Sequence, residues 1–206
     1  MITRCAEEAE TRTHEGRARL YGLLAEVFSS PPTEDTTQAV FQMASVLEID
    51  CPRELPVREI AREFMDLFVV PNSRYVAPYE SAYRDRWLLP EVPGKDGTPM
   101  VMKRLLMGDS TLAVRQCFLE AGVAPTEDLP DHISNELRLL SHLWSVEARE
   151  PGGGNRRLEQ LKSELRDNHL LKWVGELRSK VSAHDRSGFY SAALRVVERV
   201  LENDSN

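Results

Sequence analysis

Cysteine is scarce and scattered in this chain. Cys5, Cys51 and Cys117 are its three thiols in 206 residues. No two of them have the close spacing of a zinc knuckle or a redox pair. An odd count with loose spacing argues against a disulfide framework and points to a reducing compartment, the cytosol. Long apolar runs are missing too, and none reaches the length that crosses a bilayer. The N-terminus, MITRCAEEAETRTHEGR, is polar and acidic. It has neither the apolar centre of a secretory signal nor the acid-poor composition of a transit peptide, so the protein is expected to stay where it is made. Positive charge is in deficit. A formal net charge of −7 and a pI near 5.4 make a poor nucleic-acid backbone binder. They suit a partner that carries basic residues, beside their general role in solubility.

The tools of common catalytic sites are absent. There is no GxxxxGK[ST], because Gly94-Lys95 lacks the upstream glycine, and the glycines at 152–154 have no phosphate-binding context. There is no HExxH, and no Glu-x-x-His of the kind a di-metal helical bundle needs. The five histidines do not cluster. His132 and Glu136 stand one helical turn apart, but two ligands without a third make a weak metal site. A pairing of Cys117 with His132 has no support in the sequence. Neither a catalytic residue nor a metal ligand is expected.

What is present is helical periodicity. Leu20, Tyr21, Leu24, Val27 and Phe28 face one way on a helix that begins well upstream and stops at Ser29-Ser30-Pro31-Pro32. A second helix is expected from about Thr33 to Glu48, and a third from about Pro56 to Val69 with a clean stripe at Ile60, Phe64, Leu67 and Phe68. Residues 71–99 are rich in proline and aromatics, with a short helix expected around Tyr79 to Trp87 and an exposed loop at Pro90 to Gly97. Trp87 reads as core. Met100 to Met107 reads as another short helix. Asp109 or Ser110 is expected to cap the next one, which runs to Ala121 with Gly122 as its stop and Leu112, Val114, Phe118 and Leu119 as its core face. Leu158, Leu161 and Leu165 restart a helix that either continues through Leu170, Trp173, Leu177 and Val181 or breaks after Asn168. A last helix follows the turn at Asp185-Arg186-Ser187-Gly188. No stretch alternates with a period of two. The fold class is all-α, a multi-helix bundle of about eight to ten helices packed in pairs. It forms a single domain over 1–206, with two lobes, 1–122 and 123–206, as the alternative division.

One stretch carries polar chemistry at a helix mouth: LPDHISNELRLL, Leu129 to Leu140. Pro130 holds Leu129 extended. Asp131 is placed to cap the helix that follows, and Ile133, Leu137, Leu140 and Trp144 recur at helical spacing. Asp131 and His132 therefore have two readings. They finish a helix end, or they face a groove and hold a partner. The aromatic segment Tyr75 to Trp87 would serve as a wall of such a groove.

Several blocks in order resemble the TorD/DmsD family of redox-enzyme maturation chaperones. They are Glu63-Phe64-Met65-Asp66-Leu67-Phe68 followed by Val76-Ala77-Pro78-Tyr79-Glu80-Ser81-Ala82-Tyr83, then Gly108-Asp109-Ser110-Thr111, then Leu129-Pro130-Asp131-His132-Ile133 with Glu136-Leu137. His169-Leu170-Leu171-Lys172-Trp173 and Phe189-Tyr190 look like its C-terminal pair. The resemblance implies a TorD-like helical fold and a cytoplasmic chaperone without catalysis. Such a chaperone binds the twin-arginine signal peptide and the apo form of a molybdopterin-dependent oxidoreductase catalytic subunit, and delays export until the cofactor is in place. Its peptide groove carries over to Tyr79, Glu80, Gly108, Asp131 and His132. Asp131 and Glu80 would pair with arginines, and Tyr79 and Tyr83 would take the apolar part. The resemblance implies no cofactor of the protein's own, with GTP as an option, and a monomer or a domain-swapped dimer. Rival expectations are a GTP-dependent maturation factor and a leader-independent assembly chaperone of a membrane nitrate-reductase-like enzyme.

Overall fold

The computed structural model describes residues 2–52, 55–93, 99–103, 106–127, 129–149 and 155–204, with side chains described for 11–52, 55–85, 106–127, 129–149 and 155–204. Among these, nine α-helices carry the fold: α1 Ile2–Ser29, α2 Glu34–Val46, α3 Val57–Phe64, α4 Ser81–Arg84, α5 Asp109–Ala121, α6 Ile133–Arg149, α7 Arg156–Ser163, α8 Leu171–His184 and α9 Phe189–Asn203. The all-α expectation holds. Two of the helical runs contain a wider turn. A π-helical turn, Met65–Val69, extends α3, and another, Glu164–Leu170, joins α7 to α8 without a break.

A small antiparallel hairpin is attached to the bundle, β1 Arg86–Pro93 with β2 Pro99–Lys103, in the register Trp87 to Met102 and Leu89 to Met100. This corrects two expectations. Met100 to Lys103 form a strand where a short helix was expected, and much of the expected loop from Pro90 is strand. Proline explains the outcome. Pro90, Pro93 and Pro99 block a helix interior, whereas a two-stranded ribbon is all edge and tolerates them. Residues 94–98 and the side chain of Trp87 lie outside the described residues.

The longest packing seam runs between α1 and α6. Gly22 lets the helices approach, since a Cβ there would sit 3.2 Å from Ser141 Oγ. Ser141 Oγ in turn donates to the Ala18 carbonyl at 2.7 Å. Beneath the seam, Tyr21, Leu24 and Phe28 of α1 meet Leu137 and Leu140 of α6 and the inner face of α9 in one apolar cluster. Phe64, Phe68 and Tyr190 add tilted and edge-on ring contacts at 5.3–6.1 Å. Each large side chain buried here contributes about 1.5–3 kcal/mol. Ile133, Leu137, Leu140 and Trp144 are all buried, as the helical spacing predicts.

Helix α5 departs from its expected face. Val114 and Phe118 are buried, but Leu112 and Leu119 are 61% and 65% exposed. The helix is rotated so that Ser110, Thr111 and Cys117 complete its inner side. Helix α7 is fixed to α6 by Lys162, a buried lysine whose ammonium lies 3.6 Å from the centre of the Trp144 ring and pairs with Glu147 and Glu159. Helix α7 thereby faces α5 across an open groove.

Candidate functional site

Two motif segments are sewn together. Ile133 N–H donates to the Pro78 carbonyl at 3.0 Å, and Glu80 N–H donates to the Asp131 carbonyl at 2.9 Å. Tyr79 and His132 thus form an isolated antiparallel bridge, and their rings meet edge to face at 5.0 Å. Pro78 and Pro130 favour the extended backbone that this pairing needs in the residues before them. Tyr79, Glu80, Asp131 and His132, fifty residues apart in sequence, are brought into one cluster.

Within the cluster the capping roles are exchanged. Asp131 was expected to cap its own helix. Instead its Oδ2 accepts from Ser81 N–H at 2.9 Å, so it caps α4 from another part of the chain. The start of α6 is capped by His132, whose Nδ1 accepts from Ser134 N–H at 3.2 Å. Burial holds the imidazole pKa down to about 4; Asp131 opposes that shift and Arg138 reinforces it. The ring is therefore neutral at pH 7, which an accepting Nδ1 requires. His132 and Glu136 do not converge on a common point. The ring faces Ser134, while Glu136 Oε2 accepts from Trp173 Nε1 at 3.3 Å.

Glu80 is the hub. It is fully buried. One carboxylate oxygen pairs with Arg84 and the other lies 2.8 Å from His169 Nδ1. Arg84 also donates to the Asn168 carbonyl at 2.6 Å. Glu80 therefore ties α4 to the π-helical turn between α7 and α8. Glu136 is buried beside it, and burial followed by the Glu80 charge pushes its carboxyl well above the usual range. Tyr83, half-buried, packs on Trp173 with ring centres 5.4 Å apart, and the Lys180 ammonium lies 4.0 Å from the centre of its ring. Both Glu80 and Asp131 are fully buried and engaged internally, and neither carboxylate reaches the surface.

Gly108 joins this cluster only through Asp85, the residue after Arg84. Asp85 accepts from Ser110 N–H at 3.1 Å and from Ser110 Oγ at 2.6 Å, and so caps α5. The cap was expected from Asp109 or Ser110. A Cβ on Gly108 would fall 2.8 Å from Asp85 Cβ and closer still to its carboxylate. Glycine is required here by space.

Three residues central to the arrangement had no assigned role in the sequence reading: Arg84, Asp85 and His169. Arg84 had a signal, since it stands four residues after Glu80 on one helix face. The partnership of His169 with Glu80 crosses 89 positions and leaves no local trace.

Open space lies beside the cluster. A cavity of about 930 Å³ runs between α5 and α7 with the π-helical turn, and His169 forms part of its wall. It continues into a second of about 310 Å³ against Arg84, Asp85 and Asp109. A third, of about 430 Å³, lies between Tyr75, Tyr83, Leu106 and Lys180.

The fold and these motifs define a helical protein whose signature residues build the wall of a groove. Residues 31–179 match the family described as nitrate reductase delta subunit, and the chain belongs to this TorD-like family. It is similar to Chaperone protein TorD of Vibrio cholerae serotype O1, with 29% identity over 149 residues, 72% of this chain and 61% of that one. Chaperone protein TorD of Salmonella schwarzengrund is 27% identical over 150 residues, 71% of this chain and 59% of that protein. The chain thus spans about six-tenths of the length of these relatives. Both relatives are named as chaperones. Among the described residues no helix is long and apolar enough to cross a membrane.

Proposed function

We propose that this protein is a cytoplasmic maturation chaperone of a molybdopterin-dependent oxidoreductase. In this reading it binds the twin-arginine signal peptide and the apo form of the catalytic subunit, and delays export until the cofactor is inserted and the subunit has folded. The observation that carries the reading is the family match over residues 31–179, a span that contains both interlocked motif segments and the helices of the adjacent groove. The net charge of −7 supports encounter with a basic leader. Tyr79 and Tyr83, both half-buried, supply aromatic surface for the apolar part of the peptide. Glu80, Asp131, His132 and Gly108 hold that surface in place.

The test is capture of partners on the native chain, followed by titration of the captured enzyme's synthetic leader. A molybdoenzyme subunit whose leader binds at about micromolar strength, on the order of −8 kcal/mol, is the expected result. Capture of other proteins alone would sink the reading. The family's description, nitrate reductase delta subunit, favours one second reading, assembly of a nitrate-reductase-like enzyme without recognition of a leader. A captured client that has no leader would select it.

A further inference from the structure

The groove between α5 and α7 is not used by the cluster just described, yet its composition is distinctive. Ala113, Gln116, Cys117 and Glu120 line one side. They follow the i, i+3, i+4, i+7 spacing of a single helical stripe. On the same helix, Leu112 and Leu119 lie just outside that stripe, past Gln116, and are the largely exposed leucines noted above. One wall therefore has a small-residue floor and an apolar lip. Two exposed leucines a helical repeat apart on one face give a partner regularly spaced anchors.

The opposite wall is mixed at its outer end, where Arg156 and Arg157 stand beside Glu159, and turns acidic toward the π-helical turn. Glu164 and Asp167 face the groove from the π-helical turn, and Asp109 meets Glu164 where the groove narrows. Several carboxylates around it already have cations. Glu120 pairs with Arg157, and Asp167 with Arg166 at 2.8 Å. Asp109 and Glu164 have none among the described residues; Glu164 only accepts from Asn168 Nδ2 at 2.6 Å. The charge of Glu164 is felt on the floor, where the Cys117 thiol is pushed up to about 12, first by burial and then by Glu164 and Glu120. From Asp109 to Glu120 the groove follows about 16 Å of helix, enough for about five residues of extended chain.

We infer that this groove seats an extended, arginine-bearing segment of the partner, with Asp109 and Glu164 receiving its guanidinium groups and Leu112 and Leu119 the apolar side chains next to the arginines. The inference rests on the chaperone reading and gives the leader a place. A guanidinium offers its donors in a fixed planar fork that matches carboxylates in pairs, whereas a lysine ammonium acts as a compact point charge. The signature residues then act as positioning residues. Glu80 holds Arg84 and His169, and those side chains form the inner end of the groove.

The experiment uses the full chain and a synthetic peptide with two adjacent arginines followed by a short leucine- and alanine-rich run. Calorimetric titration compares native protein with Ala113→Trp, which fills the groove from an exposed position, and with the double variant Asp109→Lys/Glu164→Lys. Circular dichroism checks that both keep the native fold. Each variant is expected to bind roughly tenfold or more weakly, and the native protein is expected to lose a similar factor when both peptide arginines are replaced by glutamine. Native-like affinity in both folded variants would overturn the groove and leave the chaperone reading standing. No binding of the arginine peptide by the native chain would overturn the leader-binding reading and the groove together.

Discussion

His132 shows how one side chain links capping to pH. Its pKa falls from 6.5 in the unfolded chain to about 4 in the fold. Between those values the unfolded state binds more protons, so stability is complete above pH 6.5 and is lost as pH falls toward 4, by up to about 1.4 kcal/mol per pH unit. His132→Asn keeps an acceptor for Ser134 N–H but does not titrate. Urea unfolding at pH 7.5 and pH 5 should show a smaller pH dependence in the variant than in the native protein; an equal dependence would mean the ring is not the source. Glu136 has the opposite sign. Its folded pKa lies above the unfolded value, so its carboxyl favours folding at low pH and opposes it as pH rises past 4.5. Glu136→Gln retains an oxygen for Trp173 Nε1 and is expected to stabilise the protein at pH 7, with a gain that grows as pH increases. A loss of stability on that substitution would contradict the buried, like-charged placement beside Glu80. At Gly108 the constraint is space. Gly108→Ala should cost about 1–3 kcal/mol, and much less in an Asp85→Gly background, which removes the carboxylate and the Cβ that a new methyl would meet. Additive losses in that double-mutant cycle would rule out the contact.

Helix ends, more than helix interiors, separate what could be read in the sequence from what could not. Helix α2 ends as periodicity predicts, in a Schellman turn in which Ile49 N–H reaches the Ala44 carbonyl at 2.8 Å. Glu48 occupies the left-handed position there, with φ of 56°. Glu48→Gly should stabilise by about 0.5–1 kcal/mol, visible as a higher Tm in thermal unfolding; an unchanged or lower Tm would count against it. Apolar stripes at 3.6-residue spacing located α1, α2, α3, α6 and α9 because burial follows that spacing directly. The caps of α4 and α5 were not legible. Asp131 and Asp85 reach across 50 and 25 positions to the helices they cap, and a local pattern holds no record of a long-range acceptor. The same limit explains α5, where Leu112 and Leu119 fit a helical stripe in sequence but the rotation was set by Asp85 and the packing of Val114 and Phe118. The hairpin was misread for a simpler reason. Val101, Leu105 and Leu106 fit a helical spacing, but Pro90, Pro93 and Pro99 deny the backbone around them a helix interior.

At the scale of the whole molecule, the chain joins a stable helical bundle to a groove that its signature residues support from behind. The motif blocks were legible in order, which is why the family could be anticipated, but the sequence placed the acidic motif residues at the peptide. In the structure Glu80 and Asp131 fasten α4, α6 and the π-helical turn to one another. Exposed carboxylates and leucines in the groove are then free for a partner. The measurement that tests the chaperone reading most directly is capture of client from native cytoplasm on the full chain, with and without the client's leader. The account predicts that one molybdoenzyme catalytic subunit is retained and that deleting its twin-arginine leader lowers retention at least several-fold. Retention that is unchanged by removal of the leader would contradict it.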